Sequence, residues 1–509
     1  MSIPSLSRLR THAPPPPPHV VIVGGGLAGL AVAASLVGRG LKITLFESRP
    51  RLGGRASSFT DPVTGEQVDN CQHVSMVCCT NLTAFCQRVG LADLFRREPE
   101  AVFLSPEGTV SRLRAGRLPA PLHLAGSFLS ATYLNWRDKA RVAYGLACLC
   151  SNRADRPGEA VADWLFRHGQ TPRTLERYWA PVLVSALNER LDQMDVGHAR
   201  KVFLDGFLRH RDGFQMEIPL VPLGELYGGR LEAWLAGRGV EVRLATGVRE
   251  VAADLDAPGA VSGVVLRSGE TIHADFVVLA LPFDRIDSTL PESYRERIPG
   301  LRGLSGLRAS PITGVHLWFN REVCPFDHVV TIGRTIQWVF NHTAIQGRRP
   351  GDAEGGQYLQ LVISAAYDLL PLDKTTIRDL ILKELGEIFP DVRAATLVRW
   401  WVVTEHGATF SVRPGVDALR PAQRTTVDGL FLAGDWTATG WPATMEGAVR
   451  SGFLAAEGVL RDLGRPESLL APDLNPGLLA RWLVPAARPI VPWQPRPVSA
   501  AEDAVAAPL

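Results

Sequence analysis

A glycine motif directly behind an apolar segment limits what the N-terminal part of this chain can form. Residues Val20–Gly38 carry no charge and are nearly long enough to span a membrane. Within them, Gly24-Gly25-Gly26-Leu27-Ala28-Gly29 has the form GxGxxG and separates the β-branched Val20–Val23 from the small-residue segment Leu27–Val37. This pattern predicts a strand, a tight turn and a helix rather than a membrane span or a signal anchor.

Each glycine of such a motif has a physical role in binding a dinucleotide. The first allows the sharp turn, the second lets a pyrophosphate approach the backbone, and the third lets helix and strand pack closely. The phosphates lie at the helix N-terminus, where free N–H groups attract an anion. Glu47 ends the next strand-like segment, eighteen residues after Gly29, which suits a carboxylate on ribose hydroxyls. We therefore predict a first group of cofactor-binding residues: Gly24, Gly26, Leu27, Ala28, Gly29, Glu47, Ser48 and Arg49.

Two further glycine-containing segments extend the predicted cofactor site. Arg51–Ala56 combines a glycine pair with arginines, which offer charge and planar donors to phosphate. Near the C-terminus, a short apolar strand ends in Gly434-Asp435, and a small-residue helix begins about ten residues later. An ordinary surface turn and a capping aspartate are the alternatives for these two segments. The second predicted group is Gly53, Gly54, Arg55, Ala56, Val248, Gly434, Asp435, Ala443, Thr444 and Met445.

Strand-like and helical patterns alternate along most of the chain, which favours an α/β fold. We predict a Rossmann-like cofactor-binding domain built from residues 19–75, 215–285 and 395–463. An α+β substrate-binding domain is inserted as residues 76–214 and 286–394. Residues 1–18 and 464–509 are rich in proline and are interpreted as tails outside the core.

Composition excludes several classes of function. With 54 basic and 52 acidic residues the net charge is only +2, so bulk electrostatics does not favour nucleic-acid binding. Seven cysteines, an odd number without paired CxxC spacing, argue against a disulfide framework and a metal site and for a reducing compartment. We expect a cytoplasmic protein that holds no metal.

The motifs together resemble the FAD-dependent amine oxidase and phytoene desaturase superfamily over residues 19–463. Four segments are similar to its squalene-associated branch, the hydroxysqualene dehydroxylases: Asp69–His73, Ser185–Asn188, Glu405–Phe410 and Gly434–Gly440. The chain departs from that branch at Cys71, where glycine is usual, and at Val77, near which another glycine is usual. A cysteine in place of glycine at position 71 changes the backbone freedom expected beside the flavin.

The resemblance implies FAD as cofactor and the reduction of hydroxysqualene to squalene, in bacterial pathways that lead to hopanoids. It implies an allylic hydroxyl removed with electrons from reduced flavin, which NAD(P)H or a reductase would replenish. His73, Asp69 and Glu405 are the candidate catalytic residues, with His73 preferred as proton donor. The alternatives are an oxidative isoprenoid desaturase or amine oxidase, and a flavin- or prenyl-binding carrier without turnover.

An isoprenoid substrate requires a long apolar cavity and access from a bilayer. We expect about a third of the aromatic residues of the inserted domain to line that cavity, the others being core residues. They are Trp136, Trp164, Trp179, Phe203, Phe207, Phe214, Trp318, Phe319, Trp338 and Phe340. The C-terminal segment predicts either an anchor at the inner face of the cytoplasmic membrane or a tail packed on its own domain. Its apolar residues are Leu469, Leu470, Leu478, Leu479, Trp482, Leu483, Val484, Ile490, Val491 and Trp493, with Arg481, Arg488 and Arg496 among them.

Overall fold

A computed structural model describes residues 16–151, 156, 158–254, 259–347 and 356–486. The helices are α1 (Leu27–Leu36), α2 (Thr80–Arg88), α3 (Ala125–Ser130), α4 (Trp136–Leu149), α5 (Val161–Arg167), α6 (Pro172–Thr174), α7 (Ala180–Leu187), α8 (Val196–Lys201), α9 (Leu231–Ala236), α10 (Phe283–Thr289), α11 (Glu292–Arg297), α12 (His342–Ile345), α13 (Lys374–Ile388), α14 (Met445–Asp462) and α15 (Ala480–Leu483). Wider π-type turns occupy Leu175–Trp179, Val202–Leu208 and Gly224–Arg230.

The strands are β1 (His19–Val23), β2 (Lys42–Phe46), β3 (Ser58–Thr60), β4 (Gln67–Asp69), β5 (Ser75–Met76), β6 (Phe95–Glu98), β7 (Glu100–Leu104), β8 (Val110–Arg114), β9 (Met216–Pro219), β10 (Glu241–Arg243), β11 (Val248–Ala253), β12 (Val261–Leu266), β13 (Thr271–His273), β14 (Phe276–Leu279), β15 (Ala309–Phe319), β16 (His328–Thr331), β17 (Trp338–Asn341), β18 (Gln357–Ser364), β19 (Leu397–Phe410) and β20 (Leu430–Leu432). They form five sheets.

A parallel sheet of order β10-β2-β1-β14-β20 contains the strands that precede the glycine motifs. Its central strands are buried on both faces, as parallel sheets usually are, which explains why they read as unbroken apolar runs. Every residue of α1 is buried as well. The apolar segment Val20–Gly38 is thus the interior strand, turn and helix that the sequence predicts. No helix in the part of the chain that the structure describes has the length and apolarity needed to cross a membrane.

The second large sheet has the order β19-β15-β18-β17-β16-β7-β8. Alternate side chains of β15, such as Val315 and Leu317, pack in a core with α13, because successive residues of a strand point to opposite faces. The opposite face, with Ile312, Phe340 and Val362, borders a cavity between this sheet and the parallel one. This face of the sheet forms one wall of the cavity.

The structure differs from the predicted segment boundaries in two places. β19 begins the predicted cofactor-binding segment 395–463, yet it hydrogen-bonds along β15 in the large sheet. α2 begins the predicted substrate segment, yet Leu82, Phe85 and Cys86 pack in the core that holds α1 and α14. Both differences arise because apolar periodicity identifies an element but not the sheet or helix on which it packs.

The C-terminal segment folds back onto the protein after α14 instead of leaving it. Glu446 accepts hydrogen bonds from the amides of Asn81 and Leu82 at the start of α2, and Asn81 bonds to the backbone of Ala471. Further on, Ala480 and Val484 are buried. Residues 1–15 and 487–509, with most of the predicted N-terminal tail and Ile490, Val491 and Trp493, lie outside the described residues.

Candidate functional site

The first glycine loop lies at the carboxyl end of β1 and has the geometry that only glycine allows. Gly24 has a φ of +111°, and a Cβ on it would lie 2.4 Å from the carbonyl oxygen of Ala280. A Cβ on Gly29 would lie 2.0 Å from the Gly24 carbonyl oxygen, so this glycine serves helix packing. Gly26 precedes α1, and no side chain caps the helix there. The first N–H groups of α1 therefore remain available to an anion.

Glu47 follows β2 and points its carboxylate toward this loop. Its Oε2 accepts a hydrogen bond from the amide of Gly25 (2.8 Å), and its Oε1 accepts one from the amide of Arg49 (2.8 Å). The side chain is buried but borders the cavity. Glu47 is thus fixed beside the glycine turn, at the place where the motif requires a ribose-binding carboxylate.

The second glycine loop packs directly against the first. The amide of Gly53 donates to the carbonyl oxygen of Gly25 (2.9 Å), and a Cβ on Gly54 would lie 3.0 Å from the Cα of Gly26. Gly53 and Gly54 both have positive φ values, of +98° and +62°. The two loops form one backbone cradle beside the cavity, which a side chain at either position would disturb.

Arg55 joins the second loop to the C-terminal motif. Its guanidinium donates to the Asp435 carboxylate (2.6 Å) and to the carbonyl oxygen of Ala408 (2.7 Å). Burial alone would lower the pKa of Arg55, but the adjacent carboxylate outweighs burial and raises it. A charged Arg55–Asp435 pair therefore stands at the cavity wall.

Arg420 donates hydrogen bonds to the backbone of the Gly434–Trp441 loop. No motif in the sequence marks it as a residue of the site. Arg420 is fully buried, pairs with Asp417 and donates to the carbonyl oxygens of Asp435, Thr437 and Trp441. No local sequence signal marks this arginine, because the carbonyl oxygens that it binds come from another loop. Its bonds fix the backbone that carries Asp435.

A single large cavity of about 1080 Å³ connects these motifs with the large sheet. Ordinary ligand pockets have about 300–1,000 Å³. Every predicted cofactor-binding residue except Gly29 lines it. The segment Ala280–Pro282, which directly follows β14, also lines the cavity, although no motif in the sequence marks it. The rule that ligands bind beyond the carboxyl ends of parallel strands could have identified this segment.

The far part of the cavity is apolar. Its lining there includes Leu113, Phe207, Phe214, Met216, Ile312, Val330, Trp338, Phe340, Val362 and Val403. Four of the ten predicted aromatic residues are among them, close to the expected third. Trp164, Trp179, Phe203 and Phe319 lie in the core, and Trp136 is exposed. The site thus combines a glycine-rich polar region with a long apolar one.

His73 borders the cavity and has a defined tautomer. Its Nδ1 lies 2.8 Å from the carbonyl oxygen of Cys71, which can only accept, so Nδ1 carries the proton and Nε2 has the free lone pair. Burial lowers the pKa of His73, and the nearby Arg55 lowers it further. The neutral imidazole is therefore the dominant form at neutral pH. This form accepts a proton or a hydrogen bond, whereas the sequence favoured His73 as a donor.

The other two candidate catalytic carboxylates differ in position. Glu405 lines the cavity. Asp69 does not, because its carboxylate is turned inward to accept hydrogen bonds from Ser58 Oγ (2.6 Å) and from the amide of Leu223 (2.8 Å). Burial raises the pKa of Asp69 to about 6. Asp69 thus joins β4 to the segment before α9, and it does not contact the space where a substrate would lie.

The cysteines are all unpaired thiols among the described residues. Cys71 lines the cavity, and burial raises its pKa to about 12, so it is a neutral thiol there. No cluster of three or more His, Cys, Asp or Glu side chains suited to a metal is found in the described ranges.

The geometry defines a dinucleotide-binding site at the carboxyl edge of a parallel sheet. A sequence profile described as flavin containing amine oxidoreductase matches residues 27–460, and the chain belongs to that family. The 15-cis-phytoene desaturase of Solanum lycopersicum is 28% identical over 466 residues, covering 88% of this chain and 79% of the relative. The zeta-carotene desaturase of Zea mays is 28% identical over 467 residues, covering 84% and 80%.

Solved structures agree on the fold. An oxidoreductase from Methanosarcina mazei has a TM-score of 0.66 at 18% identity, covering 87% of this chain and 100% of that one. A putative protoporphyrinogen oxidase from Exiguobacterium has a TM-score of 0.63 at 21% identity, covering 87% and 99%. The cofactor is FAD, as predicted, and the protein is a flavin-dependent oxidoreductase. The cradle at Gly26 and Gly54, the open end of α1 and Glu47 fit its dinucleotide part.

Proposed function

We propose that the protein reduces hydroxysqualene to squalene. The observation that carries this proposal is the meeting of four separate segments along one cavity. These segments resemble the squalene-associated branch in sequence, and residues from each of them line the cavity: Asn70, Cys71, Gln72, His73, Ser185, Ala186, Glu405, Ala408, Thr409, Gly434 and Asp435. These four segments lie far apart in sequence. A ligand that contacts all of them accounts both for their resemblance to one branch and for their meeting along one cavity.

The shape and polarity of the cavity suit this substrate. Beyond the glycine-rich region, its walls are aromatic and aliphatic side chains such as Phe214, Met216 and Phe340. Apolar walls stabilise a hydrocarbon chain by removing it from water, at roughly 25 cal/mol per Å² of buried apolar surface. An uncharged isoprenoid with one hydroxyl needs such a lining and only a few polar groups near its reacting carbon.

The reaction breaks the allylic C–O bond, releases water and forms a new C–H bond. When bound, reduced FAD supplies the electron pair and hydrogen for that bond, and NAD(P)H or a reductase must then restore it. In our proposal His73 accepts a hydrogen bond from the substrate hydroxyl through Nε2 and orients it. Glu405, the candidate carboxyl group that lines the cavity, donates the proton that lets the hydroxyl leave as water. The apolar walls exclude bulk water from the reacting carbon.

Oxidative desaturation of an isoprenoid chain is the second candidate function. It is supported by the similarity to phytoene and zeta-carotene desaturases and by the neutral His73, whose Nε2 could receive the proton lost from a saturated carbon. This reaction needs an external electron acceptor such as a quinone. It predicts that the oxidised protein, rather than the reduced one, converts its substrate.

Product analysis separates the two candidates. The FAD-loaded full chain is incubated with hydroxysqualene and a flavin-reducing system, and separately with phytoene and a quinone, and the lipids are identified by mass spectrometry. Squalene formation only in the first mixture supports the proposal. Dehydrogenated phytoene without squalene formation would overturn it in favour of desaturation.

A variant pair tests the role of His73 in the same assay. His73→Gln keeps FAD bound but lowers squalene formation, because the variant lacks the imidazole that orients the hydroxyl. His406→Gln is the matched control, since His406 is exposed and does not line the cavity. Equal rates for the two variants would remove His73 from the reaction.

A further inference from the structure

A group of apolar side chains stands in solvent on one side of the molecule. Trp482 and Leu478 are 88% and 78% exposed, and Leu479 and Leu483 beside them are also exposed. Leu118 and Leu122 are exposed on the segment before α3. We call these six residues the apolar rim. Large apolar side chains are seldom exposed in such a group unless they contact a partner or a membrane.

The two parts of the rim are packed against each other. Ala120, between Leu118 and Leu122, shares a small buried core with Ala480 and Val484 of the C-terminal segment. A Cβ on Gly477 would lie 3.2 Å from the Cβ of Ala120. These buried contacts fix α15, so its exposed residues form one continuous surface with Leu118 and Leu122.

Only one helical segment separates the rim from the cavity. Leu204, in Val202–Leu208, belongs to the small core beneath the rim, whereas Val202, Gly206 and Phe207 of the same segment line the cavity. A second connection runs through His123, next to Leu122, whose ring centroid lies 6.1 Å from that of the cavity residue Phe214. The rim is therefore the exposed apolar surface next to the apolar part of the cavity.

The charges around the rim are basic. Between residues 110 and 151 there are six arginines and lysines, of which Arg112 pairs with Glu100, and one acid, Asp138, which is buried and paired with Arg173. The described residues 474–486 contain one arginine, Arg481, and no acidic residue. Arg117 and Arg481 are exposed within the rim. This excess of positive charge is local, because the whole chain carries only +2.

From these observations we infer that the apolar rim inserts into the surface of a bilayer that contains anionic lipids, and that it presents the adjoining cavity to the membrane. Tryptophan and leucine enter the boundary between headgroups and acyl chains, while arginines beside them pair with lipid phosphates. A protein partner would need acidic residues around an apolar centre. A bilayer supplies both features over the whole exposed surface.

Vesicle flotation tests this inference without any substrate, so its outcome is independent of the proposed reaction. The full chain is mixed with vesicles of phosphatidylcholine, or of equal parts phosphatidylcholine and phosphatidylglycerol, and the floated fraction is measured. We expect stronger flotation with the anionic vesicles. The double variant Leu478→Ser, Trp482→Ser should bind at least about tenfold more weakly, because it removes the two most exposed rim side chains.

Matched variants identify the cause of any loss. Val63→Ser, Phe166→Ser removes two exposed apolar side chains that are not part of the rim, and it should float like the unchanged protein. Arg117→Gln, Arg481→Gln should weaken binding to the anionic vesicles only. The inference is overturned if the unchanged protein floats with neither vesicle, or if the rim variant floats as well as the control. It is equally overturned if the rim variant abolishes self-association of a protein that does not bind vesicles.

Discussion

The substitution Gly26→Ala separates cofactor binding from folding. Gly26 has a φ of −79°, which alanine adopts without strain, and the heavy atom nearest to an added Cβ is the Cα of Gly54 at 3.9 Å. The methyl group thus meets no protein atom closely. It would enter the cradle between the two glycine loops, where the pyrophosphate of FAD approaches the backbone.

The magnitude follows from these distances. Alanine at an unstrained position changes the free energy of unfolding by less than about 1 kcal/mol, and restriction of the unfolded chain makes the change stabilising. A methyl group forced into a close contact costs about 1–3 kcal/mol. Because the close contact exists only when FAD is bound, this cost raises the Kd for FAD roughly 5- to 150-fold, since 1.4 kcal/mol is a factor of ten.

Two measurements on the apoprotein check the prediction. Urea unfolding gives the free energy of unfolding, and quenching of flavin fluorescence gives the Kd. Gly126→Ala is the control, because Gly126 also has open space around its Cβ but lies in α3, outside the cavity lining. An unchanged Kd in Gly26→Ala would refute the cradle, and a large loss of stability would refute the geometry of the loop.

Three further predictions concern buried charged groups. Glu47→Gln replaces one of two oxygens that accept backbone N–H bonds, so we expect FAD to bind roughly ten- to a hundredfold more weakly by calorimetric titration; Glu241→Gln, on the adjacent strand, should bind it normally. Because burial raises the pKa of Asp69 to about 6, its contribution to stability is full below the unfolded pKa near 3.8 and is lost as the pH rises through 6. The variant Asp69→Asn should therefore gain stability relative to the unchanged protein between pH 4 and pH 7 in urea unfolding, and parallel pH profiles would contradict this assignment. Arg420→Met removes the guanidinium that pairs with Asp417 and donates to three carbonyl oxygens, and should lower the free energy of unfolding by roughly 3–5 kcal/mol; a loss below about 1 kcal/mol would show that the loop does not depend on Arg420.

Local patterns predicted the strands and helices beside the glycine loops well. The predicted strands and helices there lie within a few residues of the observed ones, as in β1, α1 and β2. This success has a physical reason: in a parallel sheet, the carboxyl ends of strands meet at one edge. Glycine turns and acidic residues that follow strands therefore lie together wherever they occur in the chain.

The positions of the other site residues, and the sheet to which β19 belongs, depend on contacts between segments distant in sequence, which no local pattern reports. Asp69 belongs to a motif-bearing segment, but whether its carboxylate faces the cavity or the backbone of Leu223 is decided by the fold. Arg420 has no motif, since the three carbonyl oxygens that it binds lie in a loop distant in sequence. The assignment of β19 to the large sheet likewise depends on its pairing with β15.

A single-turnover experiment tests the proposed reaction most directly. The FAD-loaded protein is reduced in the absence of oxygen and mixed with hydroxysqualene, and the visible absorbance of oxidised flavin is followed while the lipids are sampled. We predict that the flavin is reoxidised and that one squalene forms per flavin. Flavin that stays reduced, with no squalene formed, would contradict the account.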